Sequence, residues 1–210
     1  GGDIHTAVAA NVFNVAPDKV DREMRRRAKV INFGILYGMG VNALRSSLGE
    51  SVTRDDASKY LEEYFAQYSG LARWIERTKR SAERLGYTET IFGRRRYFTG
   101  FKSSLPMIRS QAERMAVNAP IQGTQADIIK LAMVKADEMI KAKKWERNVK
   151  LILQVHDELV YEVSEGIAEE AATNIRSVME SVAPEQELAG VPVVAEAAIG
   201  KNWGTMGKLQ

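Results

Sequence analysis

Three features of the sequence predict an α+β fold. Apolar residues recur at helical spacing through most of the stretch before Lys144. Two apolar runs, Val149–Val155 and Glu158–Val163, read as paired strands, and a further helix and a closing strand follow them. Helices first and a small antiparallel sheet last is the α+β order, and no internal repeat is present.

In chain order, Gly1-Gly2-Asp3-Ile4-His5-Thr6 enters a short helix with no preceding strand or cap of its own, which reads as the middle of a longer protein. A second helix lies within Asp21–Gly38, where Gly38 and Gly40 supply a stop and a pivot. Thr53-Arg54-Asp55-Asp56 resembles a capping box opening a helix to about Tyr68, and another helix spans about Leu71–Leu85 with Gly86 as its stop. Tyr60, Tyr64, Phe65, Leu71, Trp74, Ile75 and Thr78 fall at helical spacing as packing residues. Tyr87–Ile91 and Arg94–Phe98 flank Phe92-Gly93 as a hairpin whose second strand opens with Arg94-Arg95-Arg96. After a small polar loop at Thr99–Leu105, a long helical tract runs from Pro106 to Lys144, with an interruption expected near Pro120 and Gly123. Beyond the two strands, a helix covers about Gly166–Val182 and Val191–Ile199 is the closing strand.

The 210 residues can bury a core but are short for two independent domains. With 45% hydrophobic and 27% charged residues the composition is that of a globular protein. The sequence has neither a long apolar stretch of the kind a membrane span needs nor a basic-then-apolar leader pattern. Zero cysteines exclude disulfides, thiolate zinc sites and cysteine nucleophiles. Gly200-Lys201 lacks the rest of a phosphate loop, no Gly-x-Ser-x-Gly or His-Glu-x-x-His occurs, and two histidines give no support to a Ser-His-Asp triad. Charge is divided unevenly. Residues 1–150 hold 27 Lys/Arg against 17 Asp/Glu, whereas 151–210 hold 3 against 10, so a net charge of +3 separates into +10 and −7. The basic part suits a phosphate backbone, and the acidic part suits metal ions or plain solubility.

The helix within Asp21–Gly38 carries Arg25, Lys29, Phe33 and Tyr37 four residues apart. Steps of four advance a side chain only about 40° around a helix, so the four form one stripe about 18 Å long, cationic first and aromatic second. A nucleoside triphosphate, polyanionic at one end and flat at the other, fits that order. A solvated basic start followed by a buried apolar end fits it too. The run Arg25-Arg26-Arg27 places like charges side by side where the helix dipole disfavours cations, and an external polyanion is expected to offset that cost.

Two further constellations carry candidate chemistry. Asp157 and Glu158, beside His156, sit at a tight turn between hydrophobic strands, as a partial site for a hard divalent cation such as Mg2+ or as a polar turn. Arg114, Asn118 and Gln122, again four apart, offer donors to the acceptors that every base pair shows in the minor groove, or cap neighbouring backbone. Pro120 puts the spacing before Gln122 in question.

Arg25-x-x-x-Lys29-x-x-x-Phe33-Gly34-x-x-Tyr37-Gly38 and Val155-His156-Asp157-Glu158 closely resemble two signature motifs of the family A DNA polymerases, the family of bacterial DNA polymerase I. Asp3-Ile4-His5-Thr6, Gly93-Arg94-Arg95-Arg96 and Gln122-Gly123-Thr124-x-Ala126-Asp127 also look like that family, in its order, so the resemblance covers essentially the whole chain. It implies helical fingers over residues 1–100, with the small hairpin near 87–98, and the C-terminal part of an antiparallel palm over 101–210. It implies template-dependent nucleotidyl transfer with two Mg2+ ions, primer-template DNA and deoxynucleoside triphosphates as partners, and a bacterial cytoplasmic, nucleoid-associated enzyme that is monomeric when complete.

By the same resemblance, Arg25 and Lys29 hold the incoming triphosphate with His5 assisting, Phe33 packs on sugar and base, and Tyr37 gates the insertion site. Arg114, Asn118 and Gln122 touch the nascent duplex, and His156 lies near the primer terminus. Asp157 is a ligand of the catalytic magnesium, Glu158 supports it, and Lys29 joins them in catalysis. Phenylalanine at the position of Phe33 resembles members that discriminate against dideoxynucleotides. The sequence departs from the family in lacking its Asp-Tyr-Ser-Gln-Ile-Glu motif, which brings another aspartate and the ribose-excluding glutamate. Thumb and nuclease domains are absent from it as well, so an inactive polymerase segment that needs the missing parts is expected. The alternatives are a nucleic-acid-binding module without catalysis and a related single-subunit RNA polymerase.

Overall fold

The computed structural model of the chain describes residues 3–49, 52–183 and 186–209; Gly1 and Gly2 of the opening motif lie outside them. Its helices are α1 (Ile4–Phe13), α2 (Arg22–Leu36), α3 (Val41–Leu48), α4 (Arg54–Gln67), α5 (Ser69–Leu85), α6 (Pro106–Ala142) and α7 (Ala168–Glu180). Its strands are β1 (Tyr87–Glu89), β2 (Arg95–Tyr97), β3 (Val149–Val155), β4 (Glu158–Val163), β5 (Ala198–Ile199) and β6 (Gly207–Lys208), paired as three two-stranded sheets. The fold is α+β, as the order of elements predicts. Among the described residues no helix is long and apolar enough to cross a membrane.

Two compact units result, Gly1–Thr88 with Arg96–Asn118, and Glu89–Arg95 with Ala119–Gln210. In the first, Val8 and Ala9 of α1, Ala28, Ile31 and Ile35 of α2, Leu44 of α3 and Ala57 and Tyr64 of α4 form one buried cluster. The spacing of Ala28, Ile31 and Ile35 explains the orientation of α2: they share a face roughly 150° round the helix from the Arg25-to-Tyr37 stripe, so burying one presents the other outward. Caps fix the helix ends. Asp21 accepts from the Met24 N–H at the start of α2, Thr53 and Asp56 form the expected capping box, and Gly86 ends α5 with a left-handed φ of 79°. A second, smaller core joins Ala82 of α5 to Phe101, Ala112 and Ala116.

In the second unit, Ile140 of α6, Val149 of β3 and Ala171 and Ile175 of α7 close a core over the base of the β3–β4 hairpin. The register runs Val149↔Val163 to Val155↔Glu158, with an irregularity between Leu151 and Leu153 that leaves Ile152 as the extra residue. That bulge breaks the alternation of faces, and Leu151, Ile152 and Leu153 are all exposed.

Four expectations need correction. The first helix does have a cap, because Asp3 accepts from the His5 N–H. An unexpected helix, α3, starts from Gly40, which provides no side-chain cap. Pro120 does not interrupt α6, which stays helical over 37 residues, about 55 Å. Proline forfeits a backbone N–H donor, yet Ala116, Val117 and Ala119 around it are buried, and packing outweighs the lost bond. Finally, Val191–Ile199 forms a strand only at Ala198–Ile199, which pairs with Gly207–Lys208. Residues 191–197 have no strand partner among the described residues, and alternation without a partner makes no strand.

Candidate active site

The stripe on α2 is assembled within the first unit. Phe33 is 40% exposed, high for a phenylalanine. Its ring lies stacked on Tyr37 with centroids 6.1 Å apart and an interplanar angle of 18°, and His5 of α1 approaches it at 5.6 Å. Lys29 Nζ lies 5.9 Å from the centre of the same ring. His5, Lys29, Phe33 and Tyr37 therefore form one outward-facing assembly of two rings, an imidazole and an ammonium. Nδ1 of His5 is buried without a hydrogen-bond partner, a polar atom that the fold itself leaves unsatisfied.

The three arginines behave differently from the expectation of an external polyanion. Arg25 Nε donates to Asp3 Oδ2 at 2.7 Å, Arg26 is bidentate to Glu23, and Arg27 donates to the Leu48 carbonyl at the end of α3 while lying over Phe13. Each cation has an internal partner, so the crowding is resolved inside the fold and is no argument for a ligand. The Arg25 hydrogen bond, assisted by Thr6, holds the Asp3 carboxyl well below the usual carboxylate range, and Arg25 is raised in turn. Lys29 has no carboxylate partner among the described residues and is the available charge on the stripe.

Gly38 ends the stripe in a left-handed conformation, φ 84°, and a Cβ there would meet Arg114 Cγ at 2.7 Å. Arg114 thus packs directly over the turn after Tyr37, and its Nη1 donates to Ser110 Oγ at 2.9 Å. Asn118 keeps a buried, unpartnered Oδ1. Because α6 continues through Pro120, the four-residue spacing from Asn118 to Gln122 is kept, and Gln122 is exposed.

In the second unit, His156 and Asp157 form the two-residue turn between β3 and β4. His156 takes the left-handed conformation, φ 54°, and its carbonyl accepts from Gln154 Nε2 at 2.7 Å. Asp157 and Glu158 are exposed at the tip, and among the described residues no donor occupies the Asp157 carboxylate. Open carboxylate oxygens on a strand-fixed turn fit a ligand of a hard cation, but such a cation takes six or more oxygens. Among the described residues no group of three or more His, Cys, Asp or Glu is gathered for a metal.

One cluster escaped the sequence reading although both of its motifs were visible. Asp127, 3% exposed, accepts from Thr90 Oγ1 at 2.8 Å and from Arg94 Nε at 2.5 Å, and thereby joins the Gly93–Arg96 and Gln122–Asp127 motifs. Burial pushes its carboxyl up, but the hydrogen bonds from Thr90 and Arg94 outweigh that and hold it below the ordinary range.

Residues 1–205 match the model of DNA polymerase family A. The chain is 44% identical over 203 residues to the thermostable DNA polymerase I of Thermus filiformis, covering 97% of this chain and 23% of that protein. It is 44% identical over 201 residues to DNA polymerase I of Pseudomonas aeruginosa, covering 96% and 21%. Among solved structures, the POL domain of Pol1 from M. smegmatis, in complex with DNA primer-template and dNTP, superposes with a TM-score of 0.80 at 40% identity, covering 88% of this chain and 32% of that one. The chain spans less than a quarter of the length of these two curated relatives.

Proposed function

The chain belongs to DNA polymerase family A, and from that premise we propose that it serves as the fingers and C-terminal palm of a DNA-directed DNA polymerase, with fingers over residues 1–100 and palm over 101–210. The observation that carries this reading is the outward face of α2, where an available ammonium and two stacked rings stand in the order of a nucleotide's phosphates and base. Lys29 would bind the triphosphate. Arg25 would do so by sharing or exchanging its bond to Asp3, and His5 would complete the cradle. Phe33 would pack on sugar and base and Tyr37 would border the templating position. Arg114, Asn118 and Gln122 would contact the duplex and His156 the primer end.

In the reaction the primer 3′-hydroxyl attacks the α-phosphorus in line; the hydroxyl loses its proton, a P–O bond forms, and pyrophosphate departs. The cations on α2 stabilise charge on the phosphates and hold them in position. Asp157, with Glu158 in support, would supply ligands to Mg2+, which when bound as a pair stabilises the attacking and leaving oxygens. The described residues gather no complete ligand set, and we assign the remaining ligands to the other segments of the enzyme, to water and to the substrate phosphates. The partners are therefore primer-template DNA, deoxynucleoside triphosphates and the other segments of a complete enzyme.

A graft tests the reading. The isolated chain should not extend a primer, whereas the same residues substituted into a complete family A polymerase should support extension, and Asp157→Ala in that graft should abolish it. Undiminished extension by the Asp157→Ala graft removes the metal assignment. Salt-dependent duplex binding without nucleotide-dependent protection of α2 from hydrogen exchange would identify a binding module instead.

A further inference from the structure

The β1–β2 turn and α6 meet in a clasp distant in sequence from both the α2 stripe and the 156–158 tip. The turn is closed internally: Thr90 N–H donates to the Arg94 carbonyl at 3.0 Å, and the Phe92 and Arg94 N–H groups donate to Thr90 Oγ1. The helix side holds it. Thr124 Oγ1 accepts from the Ile91 N–H at 3.3 Å, and a Cβ on Gly123 would meet Thr90 Cγ2 at 2.6 Å, so only glycine admits the turn this closely. Asp127 then receives Thr90 on one oxygen and Arg94 on the other.

Arg94 is the informative member. Its side chain is 59% exposed although its Nε is tied to a carboxylate that is almost wholly buried. A guanidinium carries five N–H donors in a rigid plane, and here one is spent inward. No other carboxylate pairs with Arg94 among the described residues, and most of its side chain is exposed while its Nε is anchored. A freely mobile surface arginine loses rotamer freedom on binding, whereas this one has lost much of it already. Arg94 compensates the buried charge of Asp127 through its Nε, which leaves the rest of the guanidinium for another partner. A largely exposed guanidinium anchored at Nε, at the head of three consecutive arginines, has the chemistry of a phosphate receptor.

We propose that Asp127 is a positioning residue for phosphate recognition: it fixes Arg94 so that the outer edge of the guanidinium receives an oxyanion of a nucleic-acid backbone. The inference rests on the polymerase reading for the identity of the ligand, and it adds a residue that touches no substrate itself.

The test measures binding of the full chain to a fluorescent primer-template duplex as a function of salt, with a Mg2+-free nucleoside triphosphate titrated separately. Arg94→Gln should weaken duplex binding about tenfold and make the slope of log affinity against log salt shallower by about 0.9. Arg94→Lys keeps the charge but loses the planar fork, and should restore the slope without restoring the affinity. Asp127→Asn is the decisive variant, because it removes a negative charge beside a polyanion. Simple electrostatics predicts tighter binding, whereas positioning predicts binding weaker by roughly three- to tenfold. The double variant should be no weaker than Arg94→Gln alone. Unchanged or tighter binding by Asp127→Asn, or full rescue by Arg94→Lys, overturns the proposal, as does an effect confined to the triphosphate titration. If Asp127→Asn does not fold, the two exposed Arg94 variants decide the matter. The polymerase reading is judged separately by extension with the unmutated graft, so either can fail alone.

Discussion

The stripe on α2 and the acidic tip of the β3–β4 hairpin are built in opposite ways. Behind the stripe, Ala28, Ile31 and Ile35 are sealed in a helical core, and Arg25, Arg26 and Arg27 each have a partner within the unit. Behind the tip, among the described residues, stands a two-stranded ladder whose base packs on helices while Leu151, Ile152 and Leu153 stay exposed. A helix keyed into a core presents a ready-made surface, because the periodicity that buries one face aims the other. A hairpin tip fixes two carboxylates relative to each other along the strand and leaves both exposed.

The contrast predicts unequal responses to truncation. Leu44 is fully buried against α2, and Leu44→Ala should destabilise the first unit by about 3 kcal/mol, read from urea unfolding followed by hydrogen exchange in α2. A cost below about 1 kcal/mol would mean that the stripe is not held by its core. Next in size is Gly38→Ala. A left-handed φ of 84° and the Arg114 side chain at 2.7 Å both oppose a methyl group, for a cost of about 1–2 kcal/mol. The same substitution should displace Arg114, whereas Gly40→Ala, where nothing lies within 4 Å, should cost less.

A hydroxyl on the core side of α2 links the stripe to pH. Tyr64 Oη donates to Asn32 Oδ1, and burial first, then neighbouring Tyr68, push its hydroxyl up to about 12. A folded pKa above the unfolded value of about 10 gives stability that is complete below that pH and is lost as pH rises through about 12. Tyr64→Phe should remove about 1 kcal/mol at neutral pH and flatten part of the alkaline limb. Asp127 has the opposite sign. Its lowered carboxyl contributes stability above the ordinary Asp range near about pH 4 that is lost as pH falls through its folded value. Acid unfolding monitored by exchange in the 89–95 turn should therefore shift to higher pH in Asp127→Asn and remain in Tyr64→Phe.

What could be read in advance follows the range of the determining interactions. The stripe, the Thr53–Asp56 capping box, the Gly86 stop and both strands of the 149–163 hairpin depend on neighbours within a few residues, and the sequence displays them. The ion pair of Asp3 with Arg25 spans 22 residues and the bonds of Asp127 to Thr90 and Arg94 span 37 and 33. Side chains so far apart leave no local signal, although each stood in a recognisable motif. Pro120 inside α6 follows the same rule, since buried neighbours rather than local propensity decide whether a helix tolerates proline. Helix α3 has weak local cues, and α2 and α4 supply the core that holds Leu44.

The smallest stability effect sharpens the comparison most. Leu153 is 45% exposed on a sheet whose two outer edges have no partner among the described residues. Leu153→Lys should therefore change unfolding free energy by less than about 0.5 kcal/mol, since little packed surface is lost. The same change should reduce concentration-dependent self-association in sedimentation, because an open, apolar edge is a template for pairing with another chain and a lysine there opposes it. A lysine that leaves association untouched would remove the edge as its cause. A destabilisation above about 1 kcal/mol would show Leu153 to be packed, and the hairpin to be as well supported as the stripe.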